Sequence, residues 1–209
     1  METIKRLFLE NQAWAKSKLL LDDKYFENMA KDQKPEYLWI GCADSRVPPS
    51  EITNTDPGEM FVHRNIANLV VHTDVNVLSV IQYAVEALKV KHVIVCGHYN
   101  CGGVKAALGN QSLGIIDNWI RNIKDVVALN QVALKKVTSE MDRVNLLVEL
   151  NVKEQVKNLM YTSIIQQAWK DRNGPYLHGW VYDLKTGLLK DIMTVAPDSQ
   201  IDEAHRYDL

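Results

Sequence analysis

Asp74-Val75-Asn76-Val77-Leu78-Ser79-Val80-Ile81-Gln82-Tyr83-Ala84-Val85-Glu86-Ala87-Leu88, followed two residues later by Lys91-His92-Val93-Ile94-Val95-Cys96, carries a helix and a strand in succession. Asp74 has the side chain of a helix N-cap, and Val77, Val80, Ile81, Ala84 and Leu88 recur on one helical face over 75–88. His92 to Cys96 is short, apolar and rich in β-branched residues, as a buried strand requires. Upstream, Glu59-Met60-Phe61-Val62-His63-Arg64-Asn65 has strand character as well. Strand, helix, strand over this distance is a βαβ unit, so parallel strands with a right-handed crossover are expected. The predicted class is α/β, with a mainly parallel central sheet flanked by helices.

Further upstream, Tyr37-Leu38-Trp39-Ile40 reads as another buried strand, and Gly41-Cys42-Ala43-Asp44-Ser45-Arg46 follows where the apolar run stops. In an extended chain alternate side chains point the same way, so Cys42, Asp44 and Arg46 are expected to share a face. They offer a metal ligand, a second possible ligand, and a charge able to pull the second one away. The plain alternative is a buried Cys42 ahead of a surface Asp44–Arg46 ion pair. Downstream, the strand ending at Cys96 runs into Gly97-His98-Tyr99-Asn100-Cys101-Gly102-Gly103. His98 and Cys101 stand close enough for a tight turn to aim both at one ion. Open parallel sheets build their sites outside the carboxyl ends of strands, where both segments lie. Cys42, His98 and Cys101 make a Cys₂His set, which leaves zinc one position for water or for Asp44.

The N-terminal residues carry two helical patterns: Ile4, Leu7, Phe8, Trp14, Leu20 and Leu21 on one stripe, then Asp22-Asp23-Lys24 before Tyr25-Phe26. A helix this apolar must cover its own sheet or a second subunit. Past Gly103, helices are expected over 104–108 and 115–129. One long helical pattern then runs from a Ser139 cap to about Lys170, stopped by Asn173-Gly174-Pro175. Leu177 to Asp183 and Leu188 to Met193, joined through Lys185-Thr186-Gly187, read as an antiparallel hairpin at the sheet edge. A single domain is expected, with a helical arm over 1–34, an α/β core over 35–196 and a polar, loosely held tail over 197–209.

The chain has 209 residues, 46% hydrophobic and 24% charged, with a net charge of −2. That length suffices for a full core, and that charge gives no sign of a nucleic-acid or membrane-surface protein. No apolar run approaches the ~20 residues of a membrane span, and the first residues lack a secretory-signal layout. Three cysteines, an odd number, argue against a disulfide scaffold and suit a reducing, cytoplasmic compartment. Cys96, inside its apolar run, reads as a small buried hydrophobe. His63 also ends a strand but lacks a paired cysteine, and His72, His92, His178 and His205 suit surface or core roles.

Zinc with an open position lowers the pKa of its water to ~7 and so supplies a nucleophile for an electrophilic carbon. The His-x-Glu and Pro-Cys-x-x-Cys of nucleobase deaminases are absent, as are His-Glu-x-x-His and Gly-Lys-Ser/Thr phosphate loops. A small substrate needing little beyond hydroxide and a pocket is what remains.

In Cys42-Ala43-Asp44-Ser45-Arg46 with Gly97-His98-Tyr99-Asn100-Cys101-Gly102, and in the lead-in Gln82-Tyr83-Ala84-Val85, the chain resembles the β-class carbonic anhydrases. The resemblance covers almost the whole chain. It implies reversible hydration of carbon dioxide to bicarbonate on one zinc ion per subunit, held by Cys42, His98 and Cys101. Asp44 is then either the fourth ligand or the partner of Arg46. It further implies a homodimer through exchanged N-terminal helices, paired into a tetramer, with Gln33 and Tyr83 lining the substrate pocket across the dimer interface. Trp39, Gly41, Arg64 and Tyr182 resemble the bacterial subset in which bicarbonate binds a second, non-catalytic pocket and favours the closed site. The plain alternative makes Trp39 and Tyr182 packing aromatics and Arg64 the partner of an acid. Two other functions stay open: a binding protein with a permanently closed Cys₂His-Asp zinc site, and a hydrolase acting on carbon disulfide or a similar small molecule.

Overall fold

The computed structural model describes residues 2–209, in two compact units, one ending at Lys34 and one running from Pro35 to Leu209. The first holds helix α1 (Glu2–Leu21) and the short α2 (Tyr25–Met29). No residue of α1 is buried, and Leu7, Phe8, Leu20 and Leu21 are exposed.

The second unit is built on a five-stranded sheet of order β2-β1-β3-β4-β5. Its strands are β1 (Tyr37–Cys42), β2 (Met60–Asn65), β3 (His92–His98), β4 (Tyr176–Asp183) and β5 (Leu188–Val195). The β1–β2, β1–β3 and β3–β4 pairs are parallel, and β5 closes the edge antiparallel to β4. The expected α/β architecture with its antiparallel edge strand is therefore present. β1 and β3 are buried almost throughout, which is why they read as unbroken apolar runs rather than as alternating patterns.

The connecting helices are α3 (Pro49–Thr53), α4 (Val75–Gln82), α5 (Gly102–Ala107), α6 (Ile116–Leu129), α7 (Gln131–Lys135), α8 (Glu140–Met160) and α9 (Ser163–Arg172). On one face of the sheet Leu38, Ile40, Val93, Val95 and Leu177 pack against Val77 and Ile81 of α4, Val156 and Leu159 of α8, and Ile165 and Trp169 of α9. A neighbouring cluster joins Cys42 and Cys101 to Ile120 and Ile123 of α6 and to Leu147 and Val152 of α8. The opposite face carries a smaller cluster, Trp39, Ile94 and Cys96, with Trp180, Tyr182 and Leu189 against it. Among the described residues no helix is long and apolar enough to cross a membrane.

Several elements differ from the sequence expectations. Asp74 caps α4 through a 3.0 Å bond from the Asn76 amide, but the α-helix stops at Gln82 and continues as a π-helical turn over Tyr83–Ala87. The long helix over 140–170 is two helices. The Thr162 hydroxyl donates to the Leu159 carbonyl at 2.8 Å and accepts from the Ile165 amide at 3.2 Å. It thus closes α8 and caps α9, although the apolar spacing runs on through the break. Residues 197–209 are more firmly held than their polarity suggests. His205 stacks on Tyr161 at 3.9 Å, and Gln166 donates to the His205 carbonyl at 2.8 Å and accepts from the Tyr207 amide at 3.0 Å.

Candidate metal centre

Cys42 is the last residue of β1, His98 the last of β3, and Cys101 the residue from which α5 starts. The tight turn between His98 and Cys101 needs Asn100 in the left-handed region, φ +57°, which asparagine tolerates better than most side chains. The ligand atoms of Cys42, His98 and Cys101 all lie within 4.8 Å of one another, and all three residues are buried. The two sulfurs are 4.0 Å apart. Two zinc–sulfur bonds of about 2.3 Å at a tetrahedral angle would set them about 3.8 Å apart. His98 Nδ1 is 3.1 Å from the Tyr99 carbonyl, which can only accept, so Nδ1 carries the proton and Nε2 presents a lone pair. That Nε2 is fully buried and has no hydrogen-bond partner.

The electrostatics fit a dication as well. The hydrogen bond between the two cysteines pulls the Cys42 thiol well below its ordinary range and pushes Cys101 above it. The backbone amides of Asp44 and Ala67 add to the stabilisation of a Cys42 thiolate. Without a cation one thiolate is favoured at the expense of the other, and a divalent ion removes that conflict. A soft donor set of two thiolates and one imidazole, with an orphaned buried nitrogen, fits zinc.

Asp44 stands beside this pocket. Arg46 donates from Nε to Oδ1 at 2.9 Å and from Nη2 to Oδ2 at 2.7 Å, and the Arg46 amide adds a bond to Oδ1 at 3.0 Å. These bonds hold the Asp44 carboxyl far below the usual carboxylate range. Oδ2 lies only 3.7 Å from His98 Nε2. The pair is thus the expected one, but it is made in a turn past the end of β1, not along an extended strand. Arg64 fixes that turn from β2, donating to the Cys42 carbonyl at 2.9 Å and to the Asp44 carbonyl at 2.5 Å.

The strand register puts Trp39, Gly41, Arg64 and Tyr182 on one face of the sheet: Gly41 pairs with Arg64 and with Cys96, and His98 with Tyr182. The Trp39 indole lies over Gly41, whose added Cβ would fall 2.3 Å from Nε1. That Nε1 is buried without a partner. Tyr182 packs against the same cluster, with its hydroxyl towards Gly187. Gln33 belongs to the N-terminal unit, where its amide bonds to Asp32 Oδ1 at 2.8 Å. Tyr83 opens the π-helical turn, half exposed, with its ring 5.7 Å from that of Phe61. His63 is buried against Asn65 and lies outside the ligand cluster. Cys96 is fully buried, and burial pushes its thiol up.

A second layer of residues went unread in the sequence. Ala67 (φ +65°) and Asn68 (φ +51°) hold left-handed conformations beside Cys42. Asn151 donates to the Ala67 carbonyl at 3.1 Å, Gln155 accepts from the Val70 amide at 2.8 Å, and Asn158 donates to the Val70 carbonyl at 3.0 Å. These carboxamides recur at helical spacing within the apolar face of α8, and that polar stripe is the signal that could have found them.

The carbonic anhydrase family profile matches residues 37–189. A carbonic anhydrase of Emericella nidulans is 49% identical over 208 residues, covering 100% of this chain and 91% of that protein. Among solved structures, one of two tetrameric β-carbonic anhydrases from the filamentous ascomycete Sordaria macrospora is 40% identical with a TM-score of 0.90, covering 94% of this chain and all of that one. The Coccomyxa β-carbonic anhydrase in complex with acetazolamide is 41% identical with a TM-score of 0.87, over 91% of this chain and 87% of that one.

Proposed function

Because the chain belongs to the β-class carbonic anhydrases, zinc lyases that interconvert carbon dioxide and bicarbonate, we propose that Asp44 and Arg46 form the switch that opens and closes its site. Cys42, His98 and Cys101 would hold the ion, which supplies an acidified water as nucleophile near neutral pH. The observation that carries the switch is the placement of Asp44: gripped bidentately by Arg46, yet 3.7 Å from the free nitrogen of His98. Held there, the carboxylate is an acceptor at the mouth of the ligand cluster and can orient a donor directed at carbon dioxide. Released from Arg46, the same carboxylate can turn inwards as a fourth donor and close the site. Zinc held there would supply its acidified water only while Arg46 keeps Asp44 turned away, so activity is expected to rise through mildly alkaline pH. Asp44→Asn in zinc-loaded protein tests the orienting role. A hydration rate well below wild type is expected, and a rate equal to wild type would remove that role.

A second bicarbonate pocket at Trp39, Gly41, Arg64 and Tyr182 is supported by their shared sheet face and by the unpartnered Trp39 Nε1. The Arg64 bonds to the Cys42 and Asp44 carbonyls would couple an anion there to the catalytic turn. Weaker inhibition by bicarbonate in Trp39→Phe and in Arg64→Ala is expected, and inhibition like wild type in both would end the idea.

The uncovered apolar side chains of α1 suit a second copy of this chain, giving a dimer that pairs into a tetramer, and the similar Sordaria proteins are tetrameric. Gln33 and Tyr83 would then line the substrate pocket across that interface. Sedimentation at micromolar protein should give the oligomer mass, and a monomer would refute the assembly. Three free thiols suit a reducing compartment, and we assign the protein to the cytoplasm on that ground.

A further inference from the structure

We propose that Glu149 and Lys190 are positioning residues for the metal ligand His98, acting through the side chain of Tyr99. The inference rests on the zinc centre described above and extends it to residues that touch neither metal nor substrate. Among the described residues the buried His98 ring makes one hydrogen bond, from Nδ1–H to the Tyr99 carbonyl at 3.1 Å. That acceptor is backbone, so its position is set by whatever holds the Tyr99 residue. β3 ends at His98, and Asn100 already has φ +57°, so this peptide lies outside any regular ladder.

Three elements hold it. The Tyr99 amide donates to the Tyr182 carbonyl of β4 at 3.0 Å. The Tyr99 hydroxyl donates to Glu149 Oε1 of α8 at 2.6 Å. Lys190 Nζ of β5 reaches the same Oε1 at 2.8 Å and lies 3.4 Å from the hydroxyl. One helical turn before Glu149, Asn145 Oδ1 accepts from the Asn100 amide at 3.3 Å. Both residues between His98 and Cys101 are thus tied to α8 by side chains four apart on one face.

An exposed Lys–Glu pair alone is worth little. Here the carboxylate also takes a short bond from a tyrosine one residue past a metal ligand, and that tyrosine's carbonyl sets the ligand's tautomer and aim. Direct hydrogen-bond partners of a metal ligand change its affinity by about 10- to 100-fold when altered, and Glu149 acts one link further out through Tyr99, which puts its effect at the low end of that range.

The test is zinc release to a chromogenic chelator, with the visible spectrum of cobalt-substituted protein as a second readout. Wild type would be compared with Tyr99→Phe, Glu149→Leu and Glu149→Gln, the last of which keeps an acceptor for the phenol. Release about 10-fold faster in Tyr99→Phe and Glu149→Leu, with shifted cobalt–thiolate bands, is expected. Glu149→Gln should fall between these and wild type. Release within twofold of wild type in both disruptive variants, or faster release with an unshifted cobalt spectrum, would overturn the assignment. Wild type that takes up no zinc would instead overturn the metal centre itself. Thermal melts of the zinc-free variants, expected within a few degrees of wild type, separate positioning from a general loss of fold.

Discussion

Gln155→Leu is the sharpest perturbation of the support beneath the site. Gln155 is 2% exposed on α8, and leucine has nearly its volume, so the change deletes hydrogen bonds rather than packing. The buried Val70 amide loses its acceptor at 2.8 Å and Asn151 Oδ1 its donor at 3.0 Å, while the part-buried Asn158 Nδ2 loses a bond at 3.2 Å but keeps the Val70 carbonyl. Each buried polar group left unpaired costs about 1–3 kcal/mol, or about 2–6 kcal/mol for the two. Greater apolar burial by leucine offsets about 1.5 kcal/mol of that. A net loss of about 1–4 kcal/mol follows, a large part of the roughly 5–15 kcal/mol that holds a domain folded. At about 2–4 °C per kcal/mol for this size, the melting midpoint should fall by about 2–16 °C. Equilibrium urea denaturation of the zinc-free protein is the assay, with a lower midpoint and an unchanged slope. Stability within about 0.5 kcal/mol of wild type would refute the view that the carboxamide stripe bears on the 65–70 loop.

Three further outcomes follow from the geometry. Arg46→Ala removes both side-chain bonds to Asp44, so the carboxylate should close the site over a wider pH range; the activity profile should move to higher pH, and an unmoved profile would count against the switch. Burial lowers the pKa of His63 and of His178, the latter aided by His92, relative to about 6.5 in the unfolded chain. The unfolded state then binds more protons below about pH 6.5, so the contribution of these two histidines is complete above that pH and declines as pH falls through it towards the folded pKa values; a urea midpoint of zinc-free protein that does not fall more steeply below about pH 6.5 in wild type than in His63→Gln would contradict this. Stripping zinc should make Cys42 the first cysteine alkylated, since its thiolate is favoured, while buried Cys96 stays inert; peptide mapping that finds Cys96 modified first would be the wrong order.

The parallel sheet and the Cys42–His98–Cys101 cluster were legible because the physics that places them is local. β1 and β3 are buried on both faces and so appear as plain apolar runs, and each runs directly into its ligand residues. Ser139 and Asp74 announced their helices by side-chain chemistry, and both cap as expected. The break at Thr162 was hidden because the apolar residues keep helical spacing across it, and only a hydroxyl bonded to both sides marks the boundary. The left-handed Ala67 was hidden for a stronger reason: alanine has no preference for that region, and its carbonyl is bonded by the side chain of Asn151, more than eighty positions away. Tyr99 was visible only as part of a motif, since its phenol meets partners from α8 and β5 that no local pattern could supply.

Stopped-flow hydration of carbon dioxide, on protein whose zinc content has been quantified, tests the central claim most directly when run at about pH 7 and about pH 9, either side of a typical zinc-water pKa. Strong activity at the higher pH, little at the lower, and none after zinc removal are expected of a Cys42–His98–Cys101 centre gated by Asp44. Stoichiometric zinc with no hydration at either pH would contradict the centre, and equal rates at both would contradict the gate.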